Sequence, residues 1–497
     1  MTFIANIDIQ SVFFCVLVFL LLSWWLRSPK ELPPGPWGWP FLGYLPNLAI
    51  SAYRSGQPLA QLLNLLAKKY GPVFSLNLAG KSVIVLNNFK YVKEGLNNPS
   101  MSDRPRILDK VDADTGEGLA GASGEPWKEQ RRLTLTTLRS FGVGKRSFEE
   151  NISEEAECLA KEISNLRGKA FDPCHFFNNA SSNVICSVVF GKRFEYSNPS
   201  FERLMHMLNE NFKLAGSGGL NMLIPFAMYL QSSHSVMARN RINIMEFISD
   251  HVNEHKKVHI QNEPSDYVDV YLDEIKQRQK LHTHSAVNDK NLPHTVRSIF
   301  VAGTETTSTT LRWAVLYLVL FPEVQHRIHQ EIDSVVGRNR LPRLADKTEL
   351  AFTSATLLEV QRIASIAPLG VPHFCGEGTT IGPYTIPKGS IVLPNLWAIH
   401  HDPDLWANPD EFNPERFLDE DGELQEKEEL IPFSIGRRVC IGDNLAKMEL
   451  YIFFTHLLHQ FTFKKPDNSP PPSLQGDSGL SYSPKPFLVE FVVRDWC

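Results

Sequence analysis

Hydrophobic and polar positions fall into several distinct rhythms along this chain. From Ile9 to Leu26 the run IQSVFFCVLVFLLLSWWL carries no charge over eighteen residues. At ~1.5 Å rise per residue it predicts about 27 Å of helix, enough for the thinner bilayer of the endoplasmic reticulum. Asp8 precedes the run, whereas Arg27 and Lys30 follow it, and basic residues on the C-terminal flank place the remainder in the cytosol. Trp24 and Trp25 suit the membrane interface. The alternative is a cleaved secretory leader, against which stand an n-region without basic residues and the lack of a small-residue cleavage site. The next segment, PPGPWGWPFLG at 33–43, cannot continue a helix and predicts a stiff hinge.

Further on, Pro58–Lys69 has helical periodicity, and Val73–Leu78 and Lys81–Leu86 alternate as a hairpin turned at Ala79-Gly80. Helical patterning dominates from about Pro126 to Val336. Between Leu369 and Val392 it breaks into short strand-like pieces, and 402–416 is an irregular loop rich in Asp, Pro and Asn that needs its own internal pairing. After Cys440, DNLAKMELYIFFTHLLHQF is a long helical run opened by Asp443. The pattern predicts a mostly α protein with a smaller β-rich part, an α+β fold built as one large domain. The expected divisions are 1–28 for the anchor, 29–45 for the hinge and 46–497 for the body.

Composition changes this picture little. A formal net charge of −5 over 497 residues argues against a dedicated nucleic-acid binder. Seven cysteines, odd in number and scattered, make no disulfide framework and suit a reducing compartment.

The chemistry concentrates in PFSIGRRVCIG, residues 432–442, where Phe433, Gly436, Arg438, Cys440 and Gly442 spell F-x-x-G-x-R-x-C-x-G. Cys440 stands at the entrance of a helix, where free N–H groups and the dipole favour thiolate. Glycines at 436 and 442 would let the backbone pass close to a planar ligand. Arg438 suits a carboxylate of that ligand, and Phe433 would shield the sulfur. A cysteine hydrolase is disfavoured because no neighbouring histidine completes the pair.

These residues resemble the haem-binding motif of the cytochrome P-450 family of haem-thiolate monooxygenases. The resemblance implies haem b with Cys440 as its axial thiolate, a ligation established for that family, in which sulfur donation promotes O–O cleavage. FFNNASSNVICSVVFGKRFEY and IPFSIGRRVCIGDNLAKMEL are similar to the microsomal animal branch and its second family, and the likeness runs from the hinge to the final strands. It implies a catalytic domain over 46–497.

Within SIFVAGTETTSTTLRWAVLYLVL, residues 298–320, the family's oxygen-binding helix is matched by A-G-x-x-T. Gly303 is expected to leave room for dioxygen, and Thr306 to bond the carbonyl of Ala302. Glu305 beside it would complete a hydroxyl–carboxylate proton relay. Glu359 and Arg362, at i and i+3, alone would pass for solvated surface charges. Their apolar helix allows a buried pair, and the resemblance adds Arg416 of FNPERF as a third member bracing the core. Carboxylates of the haem would be met by Trp127 and Arg131 of WKEQRR, by His373, by Arg104 and by Arg438.

Electrons are expected from NADPH through a flavoprotein NADPH–cytochrome P-450 reductase, with cytochrome b5 a further candidate donor. Lys128, Arg131, Arg132, Arg437 and Lys447 would form its basic docking patch. NMLIPFAMYL at 221–230 is either a second membrane contact or interior packing. Pocket candidates lie at 105–125, 210–225, Phe300, Val301, 369–374 and Leu480–Tyr482. A lining of Phe and Leu suits a lipophilic substrate, a fatty acid, steroid, secosteroid or xenobiotic. The reading is thus an NADPH- and O2-dependent monooxygenase of the endoplasmic reticulum membrane. Two alternatives stand beside it: a haem-thiolate isomerase acting on a peroxide without reductase, and a non-catalytic membrane-bound haem or lipid carrier.

Overall fold

The computed structural model describes residues 32–494 except 107–117, 144–147, 218–231, 262, 283–284, 468 and 480, with positions 12, 14–16 and 18–19 before them. The expected spanning run Ile9–Leu26 and the segment 221–230 therefore lie mostly or wholly outside the described residues. Among these, no helix is long and apolar enough to cross a membrane.

Helices dominate, and the longest, Asn291–Leu320, is the central one. Its second half is buried on nearly every face, from Thr304 to Leu318 with Thr306 the exception, as an apolar helix without a polar side must be. Three of its threonines are accommodated by bonding the turn before. Thr304 Oγ1 donates to the Phe300 carbonyl at 2.8 Å, Thr306 Oγ1 to Ala302 at 2.7 Å and Thr310 Oγ1 to Thr306 at 2.8 Å. Against it packs Cys174–Phe190, itself buried almost all round, with Ser182 Oγ donating to Thr304 Oγ1 at 3.0 Å. The helix Asp443–Gln460 is equally enclosed and lies against Glu149–Ser164. Other helical patterning is realised as expected, including Leu59–Tyr70 and Gly124–Ser140.

The strands are β1 Val73–Leu78, β2 Lys81–Leu86, β3 His373–Phe374, β4 Thr379–Ile381, β5 Tyr384–Ile386, β6 Ile391–Pro394, β7 Phe461–Lys464, β8 Gly476–Ser478, β9 Tyr482–Pro484 and β10 Glu490–Val493. The hairpin β1–β2 has the expected register, Leu78 opposite Lys81, and its turn holds Ala79 and Gly80 at φ 51° and 81°. Two left-handed residues give the twist that tight hairpins need. The main sheet continues with β6 parallel to β2 and β3 antiparallel to β6.

Two features differ from the sequence reading or complete it. The proline-rich segment expected as a hinge is pinned along β1 in its described part. Ser75 donates from N–H to the Pro34 carbonyl at 2.9 Å and from Oγ to Pro33 at 2.6 Å. Gly35 is required there, since a Cβ would stand 1.9 Å from the Ser75 carbonyl oxygen. Proline rings stiffen the segment, but backbone pairing, not stiffness, holds it to the body.

The irregular loop at 402–416 finds its pairing in a buried ion cluster. Arg362 donates to Glu359 through Nε at 2.7 Å and Nη2 at 2.8 Å, and Arg416 Nε donates to the same carboxylate at 3.1 Å. Arg362 and Glu359 are wholly enclosed. Spare donors go to loop carbonyls: Arg362 Nη1 to His400 and Pro409, both 2.7 Å, and Arg416 Nη1 to Ala407 at 2.8 Å. Neutral His400 extends the frame, because its Nε2 accepts from the Ile431 N–H at 3.1 Å and its Nδ1 meets Ser365 Oγ at 3.0 Å. Burial and neighbouring His401 and Arg362 push its pKa down to about 3.

Removing one member strands the other charge. Glu359→Ala is expected to destabilise the chain by ~3–5 kcal/mol. Arg416→Ala should cost less, since Arg362 still holds the carboxylate. Urea unfolding of the two variants against the parent measures both.

Candidate active site

Cys440 is placed by a short 3-10 turn, Gly436–Arg438, and by the start of the helix Asp443–Gln460. Its N–H donates to the Phe433 carbonyl at 3.0 Å, closing the loop, and the Phe433 ring sits 5.6 Å from Lys447 Nζ. The two glycines have different reasons. Gly436 has φ +77°, and a Cβ there would lie 2.2 Å from the Leu96 carbonyl oxygen. It serves the packing of this turn on the helix Phe89–Asn97, which corrects the expectation that it faces a ligand. Opposite Gly442 a Cβ would meet nothing within 4 Å, so that one borders open space.

The cysteine is deep in the molecule yet keeps accessible surface. Burial pushes its thiol pKa up, and Asp443 adds to the rise; a Gly442 N–H bond to the sulfur and the charge of Arg131 work the other way. The helix entrance was expected to favour thiolate over thiol. In the protein alone burial outweighs it, and a bound cation is what would secure the charged sulfur. On the central helix, Ala302 and Thr306 form a second accessible strip, one turn apart, amid buried neighbours. The Thr306 bond to the Ala302 carbonyl is as expected.

Gly303 and Glu305 depart from expectation. A Cβ on Gly303 would come within 2.4 Å of Ile185 Cδ1. Glycine there allows close crossing of Cys174–Phe190, and the space it saves is not on the accessible strip. Glu305 does not meet the Thr306 hydroxyl. Consecutive helical side chains diverge by ~100°, and the Glu305 Oε1 instead accepts from Thr309 Oγ1 at 3.1 Å and Ser481 Oγ at 3.2 Å. Burial raises its pKa, partly offset by Arg312 and the two hydroxyls. Thr309 was within reach of the i, i+4 rule; Ser481 arrives from a distant loop and left no local signal.

The residues expected around carboxylates do converge. Arg438 stacks on the Trp127 ring at 3.8 Å and donates to the Ser102 and Ala122 carbonyls, both at 2.6 Å. Arg104 Nη1 reaches the Val371 and Pro372 carbonyls at 3.0 and 2.9 Å, while its Nε is buried without a partner. Arg131 Nη2 donates to Val439 at 2.8 Å, beside Cys440. His373 Nδ1 meets the Met101 carbonyl at 2.8 Å. Burial first, then the charges of Arg104 and Arg131, push the Arg438 pKa down to about 8, with Asp103 opposing. Burial and Arg131 bring Arg104 to about 10, and burial with Arg104 and Arg438 takes His373 to about 3. Among the described residues no carboxylate forms a salt bridge with these three guanidiniums. The donor set fits a flat ligand with acidic groups at one edge and a metal for the sulfur, as haem has. A separate cleft of about 530 Å³, lined by Trp313, Tyr317, Trp397, Phe412 and Tyr482 among others, includes none of these residues.

The family model for cytochrome P450 matches residues 33–491. The chain belongs to the cytochrome P450 family. It is 41% identical over 493 residues to cytochrome P450 2J2 of Homo sapiens, covering 97% of this chain and 95% of the relative. It is 42% identical to cytochrome P450 2J1 of Oryctolagus cuniculus over 477 residues, 93% and 92% of the two chains, and 36% identical to human cytochrome P450 2U1 over 505, 96% and 93%. The protein is thus a haem-thiolate monooxygenase with the mostly α, partly β fold of that family, similar to microsomal members of its second family. Microsomal relatives of this kind indicate the endoplasmic reticulum membrane, and members of the family generally draw electrons from a redox partner.

The reassigned glycine can be tested in this P450. Gly303→Ala should overpack the helix crossing at ~1–3 kcal/mol. Combining it with Ile185→Ala, which removes the opposing atoms, should restore part of the loss in thermal melts.

Proposed function

We propose that this P450 is an NADPH- and O2-dependent monooxygenase that hydroxylates a lipophilic small molecule, with electrons from NADPH–cytochrome P450 reductase and cytochrome b5 as an auxiliary donor. One observation carries the reading. An accessible cysteine at a helix entrance lies beside Arg131, one of three largely enclosed guanidiniums, with Arg104 and Arg438, that form no salt bridge with a carboxylate among the described residues. Bound haem supplies dioxygen activation; the chain supplies the rest. Cys440 holds the iron, and the Gly442 N–H steadies its sulfur. Arg104, Arg131 and Arg438, with Trp127 and His373, hold the two carboxylates, and Phe433 covers the sulfur side.

On the accessible strip, Thr306 gives its own proton to the Ala302 carbonyl. Its lone pairs are therefore left to accept from water or substrate. Glu305 joins proton delivery only by swinging away from Thr309 and Ser481, and burial keeps it inclined to hold a proton. Ala302 and half-exposed Val371 offer apolar surface, which supports a fatty acid, steroid, secosteroid or xenobiotic.

The reductase face is argued from exposure. Arg131 ties the helix Gly124–Ser140 to Val439, and Lys128, Arg132, Arg437 and Lys447 are exposed around that contact. The uncharged Ile9–Leu26 run supports a single-pass anchor in the endoplasmic reticulum with the catalytic domain, 46–497, in the cytosol.

The reduced carbon monoxide complex should show a strongly red-shifted Soret band, and Cys440→Ala should abolish it. Product formation should require reductase, NADPH and O2. Turnover of a peroxide without reductase would select the isomerase, and no turnover of any lipid or drug would select the carrier. Separately, Arg132→Glu should slow reductase-supported turnover more than peroxide-driven turnover; equal losses would refute the docking face.

A further inference from the structure

The end of the helix Ser232–Val258 and the start of the helix Tyr267–Lys280 bring together five side chains that the haem chemistry does not use: His255, His259, Asp266, Asp269 and Asp273. All are largely enclosed; the side chains of His259 and Asp266 are each 2% exposed. His255 Nε2 lies 2.6 Å from Asp266 Oδ2, His259 Nδ1 lies 3.1 Å from Asp269 Oδ1, and His259 Nε2 lies 3.0 Å from Asp273 Oδ1.

The arrangement poses a charge problem. His255 Nδ1 faces the His251 carbonyl at 3.3 Å. A carbonyl only accepts, so that nitrogen carries the proton. A neutral ring then presents a lone pair from Nε2 to a carboxylate oxygen. His259 has the same conflict, since both its nitrogens face carboxylates. Each ring needs either a second proton or another cation at the carboxylate.

The carboxylates are held as metal ligands usually are, one oxygen fixed and one turned inward. Asp266 Oδ1 accepts from the Asp269 N–H at 3.0 Å, capping the second helix, which leaves Oδ2 to face His255. Asp269 Oδ2 accepts from Ser265 N–H at 3.2 Å and Oγ at 2.8 Å, which leaves Oδ1 to face His259. Gly191 makes room for this, as a Cβ there would stand 3.1 Å from Asp266 Oδ2.

We propose that these side chains bind one divalent transition ion, Zn2+ by ligand type, through His255 Nε2, Asp266 and Asp269, with water as the fourth ligand and His259 backing Asp269 through Nδ1. Ligand atoms of His255, Asp266 and Asp269 already lie within 4.8 Å of one another. Tetrahedral Zn–N and Zn–O bonds of ~2.0–2.1 Å separate neighbouring ligands by about 3.3 Å, so the 2.6 Å contact of His255 with Asp266 would open slightly and the three ligand atoms, now within 4.8 Å of one another, would gather around the ion. Asp273 stays outside the coordination shell and orients His259 through Nε2. The ion replaces the second ring proton of His255 as counter-charge and ties the two helices across the turn between them. It is a structural site, apart from the haem.

The test uses the full-length, untagged protein in detergent, stripped with chelator and dialysed against micromolar free Zn2+. One equivalent of zinc per chain should be retained by mass spectrometry. The melting temperature should rise by several degrees and fall again with chelator. X-ray absorption at the zinc edge should show only N and O neighbours, which separates this site from the cysteines. The double variant His255→Gln, His259→Leu should lose that equivalent while keeping its haem content. Zinc retention no higher in the parent than in the variant, an unchanged melt of the parent, or sulfur in the first shell would overturn the proposal. The parent measurements stand even where the variant folds poorly.

Discussion

Burial of like charge is the constraint on which this P450 turns. Arg104, Arg131 and Arg438 are brought into one largely enclosed region where burial weakens the hold of each on its proton, and the neighbouring guanidiniums weaken that of Arg104 and Arg438 further; Cys440 nearby is pushed toward the neutral thiol. Taken alone, each group is in a poor electrostatic state. A flat dianion carrying a metal reverses every sign at once: acidic edges meet the guanidiniums, and the metal stabilises the sulfur as thiolate. The chain's own contacts fix the guanidiniums through neutral carbonyls, Ser102, Ala122, Val371, Pro372 and Val439. Such acceptors orient a cation without neutralising it, which keeps the attraction available for a ligand.

The Glu359 cluster shows the opposite solution. There a carboxylate is present, and four donors converge on it: Nε and Nη2 of Arg362, Nε of Arg416 and the Asn413 N–H. Every spare guanidinium hydrogen bond is spent on the backbone of 400–411. This satisfied network fixes the irregular loop, and through His400 it reaches Ile431, two residues before Phe433. A rigid, ion-paired frame thus supports a site without paired charge, and the difference lies in whether the chain supplies a counter-charge.

Much of this was legible in order along the chain. The hairpin Val73–Leu86, the helix after Cys440 and the pairing of Glu359 with Arg362 follow from alternation, capping and i, i+3 spacing, all local rules. The cysteine motif located the site, and its resemblance to known haem-thiolate proteins brought together Trp127, Arg131, Arg104, His373 and Arg438. What was misread is tertiary. A glycine announces close approach but not what approaches: Gly303 meets Ile185 and Gly436 meets Leu96, neither a ligand. Glu305 and Thr306 are neighbours in sequence and therefore not on one helical face. The proline-rich segment reads as a hinge because its partner, Ser75, is forty residues away. The His–Asp cluster between two helices drew no notice, since its members pair across a turn rather than within a known motif.

Strand β2 has a parallel partner, β6, made about 300 residues later in the chain. At ~5–20 residues per second a ribosome needs on the order of 15–60 s to deliver it. Throughout that interval one edge of an apolar hairpin stands open to any extended chain nearby. Nascent copies on one polysome present identical edges to each other, so the sheet that completes the mature protein is also where its synthesis is most exposed to self-association.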